Sequence, residues 1–468
     1  MATDTTVPGV YIEEDASPAM SVSAGATAVP LFVARFTPFK EELAGVITRI
    51  GSWLDYTTQF DSNVLSSATV TVTSTAVEPP PIDPPPAEKK LETVSSKAAA
   101  AAAKSLVAKE EKKYTYEIDD TEVVDQSASV ALRLYFQNGG GPCYLYPLET
   151  SDDKAKLASL PGLVDEVGAI TLLACPEPDE AYRSAVYGAL AASLGQLKGY
   201  FLLADSANGD APSAVIGSAQ VAVYYPNVEI PHIRKLDDAE VAIDGYLDDE
   251  GKAVATLAAL RAINIDFADE IDKALSSELL APLSLPPSAL MAGVYGKTDR
   301  ERGVWKAPAN VVLNGVSDVS VRVTNEQQAE LNPKGINVIR HFSDRGLVVW
   351  GSRTQQDDDD WRYIPVRRLF DAAERDIKKA LQPMVFEPNS QPTWKRVQAA
   401  IDNYLHRLWQ QGALAGNKAE EAYFVRVGKG ITMTQDEINQ GKMIVQVGMA
   451  AVRPAEFIIL KFTQDMSQ

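Results

Sequence analysis

The sequence predicts a multi-domain α/β chain: an α/β central region, a C-terminal α+β domain, and extended arms at both ends. Three observations predict it. Between residues 120 and 300, short apolar runs of strand length alternate with stretches of helical period, the pattern of a sheet covered on both faces. After residue 360, two long amphipathic stretches precede a few short β-prone runs. Both ends carry brief apolar segments set off by Pro, Gly and Ser, which act as punctuation rather than as core. The 468 residues leave room for roughly two to four domains.

Taken in order, Val7-Pro-Gly-Val10-Tyr11-Ile12-Glu-Glu14 is short and β-prone, and the Ala/Ser/Gly-rich residues 15–28 read as a flexible joint. Residues 1–28 thus form an N-terminal linking arm. Ala28 to Arg35 reads as a buried strand, and 41–60 as a helix or turn. Residues 62–113 differ in kind. PPPIDPPP occupies 79–86 and six alanines occupy 98–103, so an extended spacer and a short exposed helix are expected in a surface insertion with no core of its own. A helix at Ser127–Phe136 is stopped by Asn138-Gly-Gly-Gly141, and strands follow at Cys143–Pro147, Ile170–Cys175, Tyr200–Asp205 and Val221–Tyr225. A helix covers Ala181–Leu197, and 237–275 reads as acidic and helical.

The outer α/β region therefore spans 29–287, and an inner domain spans 288–452. The inner domain opens with a small-residue helix at 288–297 and continues with strands at 319–323, 336–342 and 347–351. Helices at 364–382 and 393–411 come next, then strands near 422–427 and 442–452. Residues 453–468 form a C-terminal arm with a terminal strand at 456–462, Phe457-Ile458-Ile459-Leu460-Lys-Phe462.

Charge is uneven. The net charge is −19, with −22 over residues 1–299 and +3 over 300–468. An acidic chain lacks the dense cation that nucleic-acid phosphates require. The basic back suits an acidic protein partner; a solvated surface is the plain alternative. No apolar run is long enough to span a membrane, and the N-terminus lacks the features of a secretory signal. Two cysteines make no disulfide framework, so a reducing cytoplasm is expected.

Catalytic signatures are missing. His232, His341 and His406 lie in no triad pattern, there is no G-x-S-x-G elbow, and Cys and His spacing fits no zinc site. Gly296-Lys297-Thr298 ends like a P-loop, but Met291 stands where its first glycine belongs. Asn138-Gly-Gly-Gly141 lacks dinucleotide spacing, and Asp357–Asp360 lacks the alternate ligands of a calcium loop. No catalytic, cofactor or metal site is expected.

A set of ordered segments resembles the sheath proteins of contractile phage tails and contractile injection systems. They are Pro8–Glu14, Phe136–Tyr144, Arg302-Gly-Val-Trp-Lys-Ala-Pro-Ala-Asn310, Gly335–Arg340, Val349–Arg353, Arg362–Arg368, Phe386–Asn389 and Arg453–Phe457. The resemblance implies a subunit that polymerises helically, as stacked hexameric rings, around an inner tube. It implies contraction that drives the tube through a cell envelope, with baseplate, terminal cap and sibling sheath proteins as partners. It implies assembly in a bacterial cytoplasm and a mature particle outside the cell or on a virion. A non-motile binding or adhesion protein, or a hydrolase, is the alternative.

Combined with the residue pattern, it points to two surfaces. Val10, Tyr11 and Ile12, and Phe457, Ile458, Ile459, Leu460 and Phe462, would exchange as strands between subunits; strands within the subunit's own sheet are the alternative. Arg367, Arg368, Arg375, Lys378 and Lys379 on one helix, and Lys395, Arg396 and Arg407 on the next, would face the tube; a solvated helix face is the alternative.

Overall fold

The computed structural model describes residues 20–62, 65–76, 112–123, 127–195, 198–206, 216–231, 235–248, 250–279, 282–457 and 459. The chain forms two units. The larger comprises Met1–Ser62, Ser127–Ile230 and Ser284–Gln468; the smaller comprises Asn63–Gln126 and Pro231–Leu283.

The larger unit is built on an eight-stranded sheet. Its strands are β1 (Pro30–Ala34), β2 (Thr48–Ile50), β3 (Cys143–Pro147), β4 (Leu172–Ala174), β5 (Phe201–Asp205), β6 (Val221–Tyr225), β7 (Ile336–Phe342) and β8 (Gly346–Trp350). The spatial order is β8-β7-β6-β5-β4-β1-β3-β2. The six central strands are parallel, and each edge is an antiparallel strand, β8 on one side and β2 on the other. β1, β4, β5 and β6 are buried at every position. This explains why they read as continuous apolar runs rather than as alternation.

Helices cover both faces. On one, Leu157, Leu160, Val164, Tyr182, Val186 and Leu190 join the inward residues of the sheet in a single core. On the other lie α1 (Ser127–Gln137) and α2 (Ser288–Arg302). Tyr135 of α1 packs edge-on to Phe32 at 5.1 Å, and the Tyr295 and Tyr224 hydroxyls are 2.8 Å apart. The two helices approach closely at Gly293, where a Cβ would stand 2.4 Å from the Tyr135 carbonyl oxygen. α2 runs through Gly296-Lys297-Thr298 as regular helix, beyond the expected end at 297, so those residues form no phosphate-binding loop. Asn138-Gly-Gly is a packing turn: Gly139 has φ +97°, and Asn138 exchanges hydrogen bonds with the backbone of Asn314.

The inner helices are α3 (Ile364–Leu381) and α4 (Gln391–Gln410). Val397, Ile401, Leu405 and Leu408 of α4 pack with Leu369, Ala372 and Ala373 of α3 in a second core. β9 (Tyr423–Val427) and β10 (Val445–Met449) form a separate antiparallel pair against it.

The smaller unit is a three-stranded sheet of Lys235–Asp244, Leu65–Ala76 and Lys112–Val123, in that order, with helices Leu257–Ile263 and Ile265–Leu279. Its core holds Ala68, Val70, Val72, Val241, Ile243, Leu257, Leu260 and Ile271. Two expectations are corrected here. Residues 65–76 are a core strand, not part of a coreless insertion, and 237–244 is strand, not helix. Val70 and Val72 alternate with the polar, more accessible Thr69, Thr71 and Thr73, a strand signal. In Lys235–Asp244 the pairing register shifts between Leu236 and Val241, and this irregularity breaks the alternation that marks a strand. The Pro run and Ala run lie outside the described residues.

The division of the larger unit also differs from an outer/inner boundary at 287, because β7 and β8 complete the sheet begun by β1.

Candidate assembly surfaces

Three of the ordered segments meet at one carboxylate, and a fourth braces it from beneath. Glu456 accepts hydrogen bonds from Arg353 Nε (3.0 Å) and Nη2 (2.8 Å), from Asn332 Nδ2 (2.8 Å) and from Tyr363 OH (3.2 Å). Asn337 fixes the backbone beneath: its Oδ1 accepts from Arg353 N–H at 2.7 Å, and its Nδ2 donates to Arg353 O at 2.8 Å. Burial pushes the Glu456 pKa up, but the hydrogen bonds from Arg353 and Asn332 outweigh it and hold the carboxyl below its usual range.

Beside this junction is a groove of about 790 Å³, whose lining includes Lys306, Asn310, Arg340, Trp350 and Phe457. Arg302–Asn310 thus contributes to the same region. Gly303 takes φ +91° at the end of α2, and the Trp305 ring occupies the space a Cβ would need.

Beyond Glu456, Phe457 and Ile459 are 71% and 79% exposed and lie in no strand. Val10, Tyr11, Ile12, Ile458, Leu460 and Phe462 lie outside the described residues.

The predicted cationic face divides in two. Arg367 and Arg368 are corrections: both are buried. Arg367 pairs with Asp371 at 2.9 Å and Glu374 at 3.1 Å, and its guanidinium stacks 4.1 Å from the Trp361 ring. Arg368 pairs with Asp299 at 2.6 Å and stacks over Tyr295 at 4.6 Å. Their charges are neutralised inside the subunit, so neither faces a partner. Burial also lifts the Asp371 carboxyl, to about 6, against the opposing pull of Arg367.

Arg375 is half-buried and donates to the carbonyls of Gly199 and Ala26 at 3.2 and 3.0 Å. Arg407 is exposed but donates to the Val22 carbonyl. Lys378, Lys379, Lys395 and Arg396 are exposed. Between α3 and α4, a turn that sequence reading did not single out for function exposes Val385 and, fully, Phe386, which has φ +74°. Asn389 braces the turn: its Oδ1 accepts from Trp394 Nε1 at 2.7 Å and its Nδ2 donates to Lys442 O at 2.8 Å.

At the carboxyl ends of β1 and β4, where sheets of this kind bind ligands, buried Glu177 pairs with Arg35 at 3.0 Å, and Arg183 donates to the Glu177 and Pro178 carbonyls. His341 lies on β7 and His406 on α4, where it meets the Tyr423 hydroxyl at 3.2 Å. His232 lies outside the described residues. Asp357 and Asp359 pair with Arg362 in an exposed turn. Among the described residues no His/Cys/Asp/Glu group is arranged to hold a metal, and no helix is long and apolar enough to cross a membrane.

The phage tail sheath protein central domain matches residues 166–355, and the phage tail sheath C-terminal domain matches 356–465. The chain belongs to the tail sheath protein family. This sheath subunit is 69% identical to a chain in the cryo-EM structure of the anti-feeding prophage helical sheath in the contracted state, with 99% of this chain and 100% of that chain covered and a TM-score of 0.71. It is 36% identical to a chain in the contracted sheath complex of PVC, an extracellular contractile injection system, with 99% of each covered and a TM-score of 0.65. A putative prophage major tail sheath protein of Pseudomonas aeruginosa (strain UCBPP-PA14) is 23% identical over 286 residues, 60% of this chain and 72% of that protein. The protein is therefore a structural subunit of a contractile sheath, similar to chains found in helical sheath and baseplate assemblies.

Proposed function

We propose that this sheath subunit polymerises as stacked hexameric rings around an inner tube, and that contraction of the polymer drives the tube through a target cell envelope. The subunit supplies connections rather than catalysis. One observation carries the linking part of this reading. Glu456 pins the chain to the body, and the next described residues, Phe457 and Ile459, are apolar and exposed.

Residues 7–14 and 455–463 add as strands to neighbouring subunits. The β9–β10 pair supports this, because a two-stranded sheet is marginal alone and Phe424 is exposed on it. About five backbone hydrogen bonds per arm at ~0.5–1.5 kcal/mol each, with ~1.5–3 kcal/mol per buried large side chain, hold neighbours while other surfaces slide. Deleting 456–468 should leave a folded, soluble subunit that forms no sheath in electron micrographs. Long striated tubes from that variant would overturn the linkage.

Lys378, Lys379, Lys395 and Arg396, with Val385 and Phe386 between them, form the tube-facing surface. Charge here serves register and encounter with an acidic tube. Sibling sheath proteins, a baseplate and a terminal cap complete the particle. Similar chains at 69% and 36% identity both occur in anti-feeding prophage baseplate structures, which supports siblings in one particle. Assembly takes place in the bacterial cytoplasm before the particle leaves the cell.

A further inference from the structure

The expected flexible joint at 15–28 is, over its described part, fastened to the inner helices at residues 22, 25, 26 and 27. Arg407 of α4 donates to the Val22 carbonyl. Gly25 N–H donates to Asp376 Oδ1 at 3.1 Å. Arg375 donates to the Ala26 carbonyl at 3.0 Å, and Arg368 to the Thr27 carbonyl at 2.9 Å. Thr27 Oγ1 donates to Asp299 Oδ2 at 2.6 Å, closing a ring with the Arg368–Asp299 pair. At the far end, Val29 N–H donates to Thr171 Oγ1 at 2.8 Å. Val22 itself is buried in the core with Leu369, Val397 and Ile401. Most of these contacts are charge-assisted, the stronger class of hydrogen bond.

We propose that residues 22–29 are a rigid root of the N-terminal arm, positioned by Arg368, Arg375, Arg407 and Asp376, so that the root moves as one body with α3 and α4 when the sheath contracts. A shift of the helices that carry the exposed cations is then passed directly to the point where the arm leaves the subunit. The linking role of the arm belongs to the proposed function; the clamp is tested separately from it, on the isolated subunit.

Residues 22–29, Val-Ser-Ala-Gly-Ala-Thr-Ala-Val, offer many sites to elastase, which cuts after small residues. In the full-length wild-type subunit, cutting within 22–29 should be at least about tenfold slower than in a synthetic peptide of residues 16–31, as opening of a protected segment demands. Arg375→Ala with Arg407→Ala should restore fast cutting there, and Arg375→Lys with Arg407→Lys should keep most of the protection. Fast cutting of the wild type within 22–29 would overturn the proposal.

A second test uses the sheath. A Cβ on Gly25 would stand 3.9 Å from Asp376 Cγ and beyond 4 Å from its Cβ, close to the Cβ spacing of about 3.5–4.5 Å that a disulfide spans, so Gly25→Cys with Asp376→Cys is the pair to cross-link, its bridge verified by loss of free thiol. The native Cys143 and Cys175 are buried and do not compete. Oxidised and reduced sheaths of this variant should contract alike. Contraction blocked when oxidised and restored by reductant would show that the root must detach, and the proposal would fall. Assembly by chains lacking residues 1–19 would count against the linking role alone.

Discussion

Arg353 and Glu456 form a forked ion pair across 103 residues of sequence, with Nη2 to Oε2 at 2.8 Å and Nε to Oε1 at 3.0 Å. The pair sits where β8 has ended and the C-terminal segment departs. Its side chains are 13% and 20% exposed, so water screens it less than a surface pair.

Breaking that fork should have two effects of different size. Arg353→Ala leaves a half-buried carboxylate with Asn332 and Tyr363 alone, a loss of roughly 1–3 kcal/mol in subunit stability. The larger effect falls on assembly, because Phe457 would leave the body in an unfixed direction. Urea denaturation measures the first and sheath length in electron micrographs the second; normal sheath length would separate the pair from assembly.

Acid should loosen the same junction. The folded Glu456 pKa lies below its usual value. Its contribution to stability is therefore complete above the unfolded carboxyl pKa and is lost as pH falls through the folded one. Glu456→Gln should flatten the wild type's loss of stability on the acid side of the unfolded value, read as midpoint denaturant against pH.

Asp205 behaves oppositely. It is buried, accepts from Ser288 N–H at 2.8 Å, and is pushed up to about 6 by desolvation, against the pull of Arg183. A raised carboxyl favours the folded state when protonated, so its contribution falls as pH rises from about 4 towards 6. Asp205→Asn should remove about 2 kcal/mol of that fall. An unchanged pH slope in the variant would contradict the assignment.

Gly293 is a steric prediction. Its missing Cβ leaves room for the Tyr135 carbonyl 2.4 Å away, and backbone cannot step aside as a flexible side chain can. Gly293→Ala should therefore destabilise by about 1–3 kcal/mol, despite the better helix propensity of alanine. A raised melting temperature would refute the close crossing of α1 and α2.

Phe386 should tolerate what a core residue cannot. It is fully exposed at φ +74°, a conformation that asparagine adopts more readily. Phe386→Asn should hold or raise subunit stability, by up to about 1 kcal/mol. With Lys378→Glu and Lys379→Glu it should weaken co-sedimentation of sheath with tube. Undiminished co-sedimentation would remove this turn and its flanking lysines from the tube-facing surface.

The parallel strands and the inner helices were legible because burial writes itself locally: residues 201–204 and Val221–Tyr225 are unbroken apolar runs, and α4 repeats its apolar face every three to four residues. The tail sheath likeness was legible for a related reason, since segments such as Arg302–Asn310 are short and ordered. What stayed hidden was long-range pairing. Arg368 reads as a free cation until Asp299, 69 residues earlier, is beside it. Residues 22–28 read as part of a joint because small residues signal freedom, while Asp299, Arg368, Arg375, Asp376 and Arg407, which hold residues 22–27, lie more than 270 positions away. The helix Lys154–Val167 carries local signals of its own, since Asp153 caps it and Leu157, Leu160 and Val164 mark its buried side.

The smaller unit draws its three strands from two separate excursions of the chain, 63–126 and 231–283, with Leu65–Ala76 lying between the other two. Neither excursion is a detachable module. Removing the first takes the middle strand and one edge together. Removing the second strips both helices and the remaining strand, exposing Val70 and Val72. Loss of either excursion alone would thus leave the other with an apolar face that nothing of its own covers.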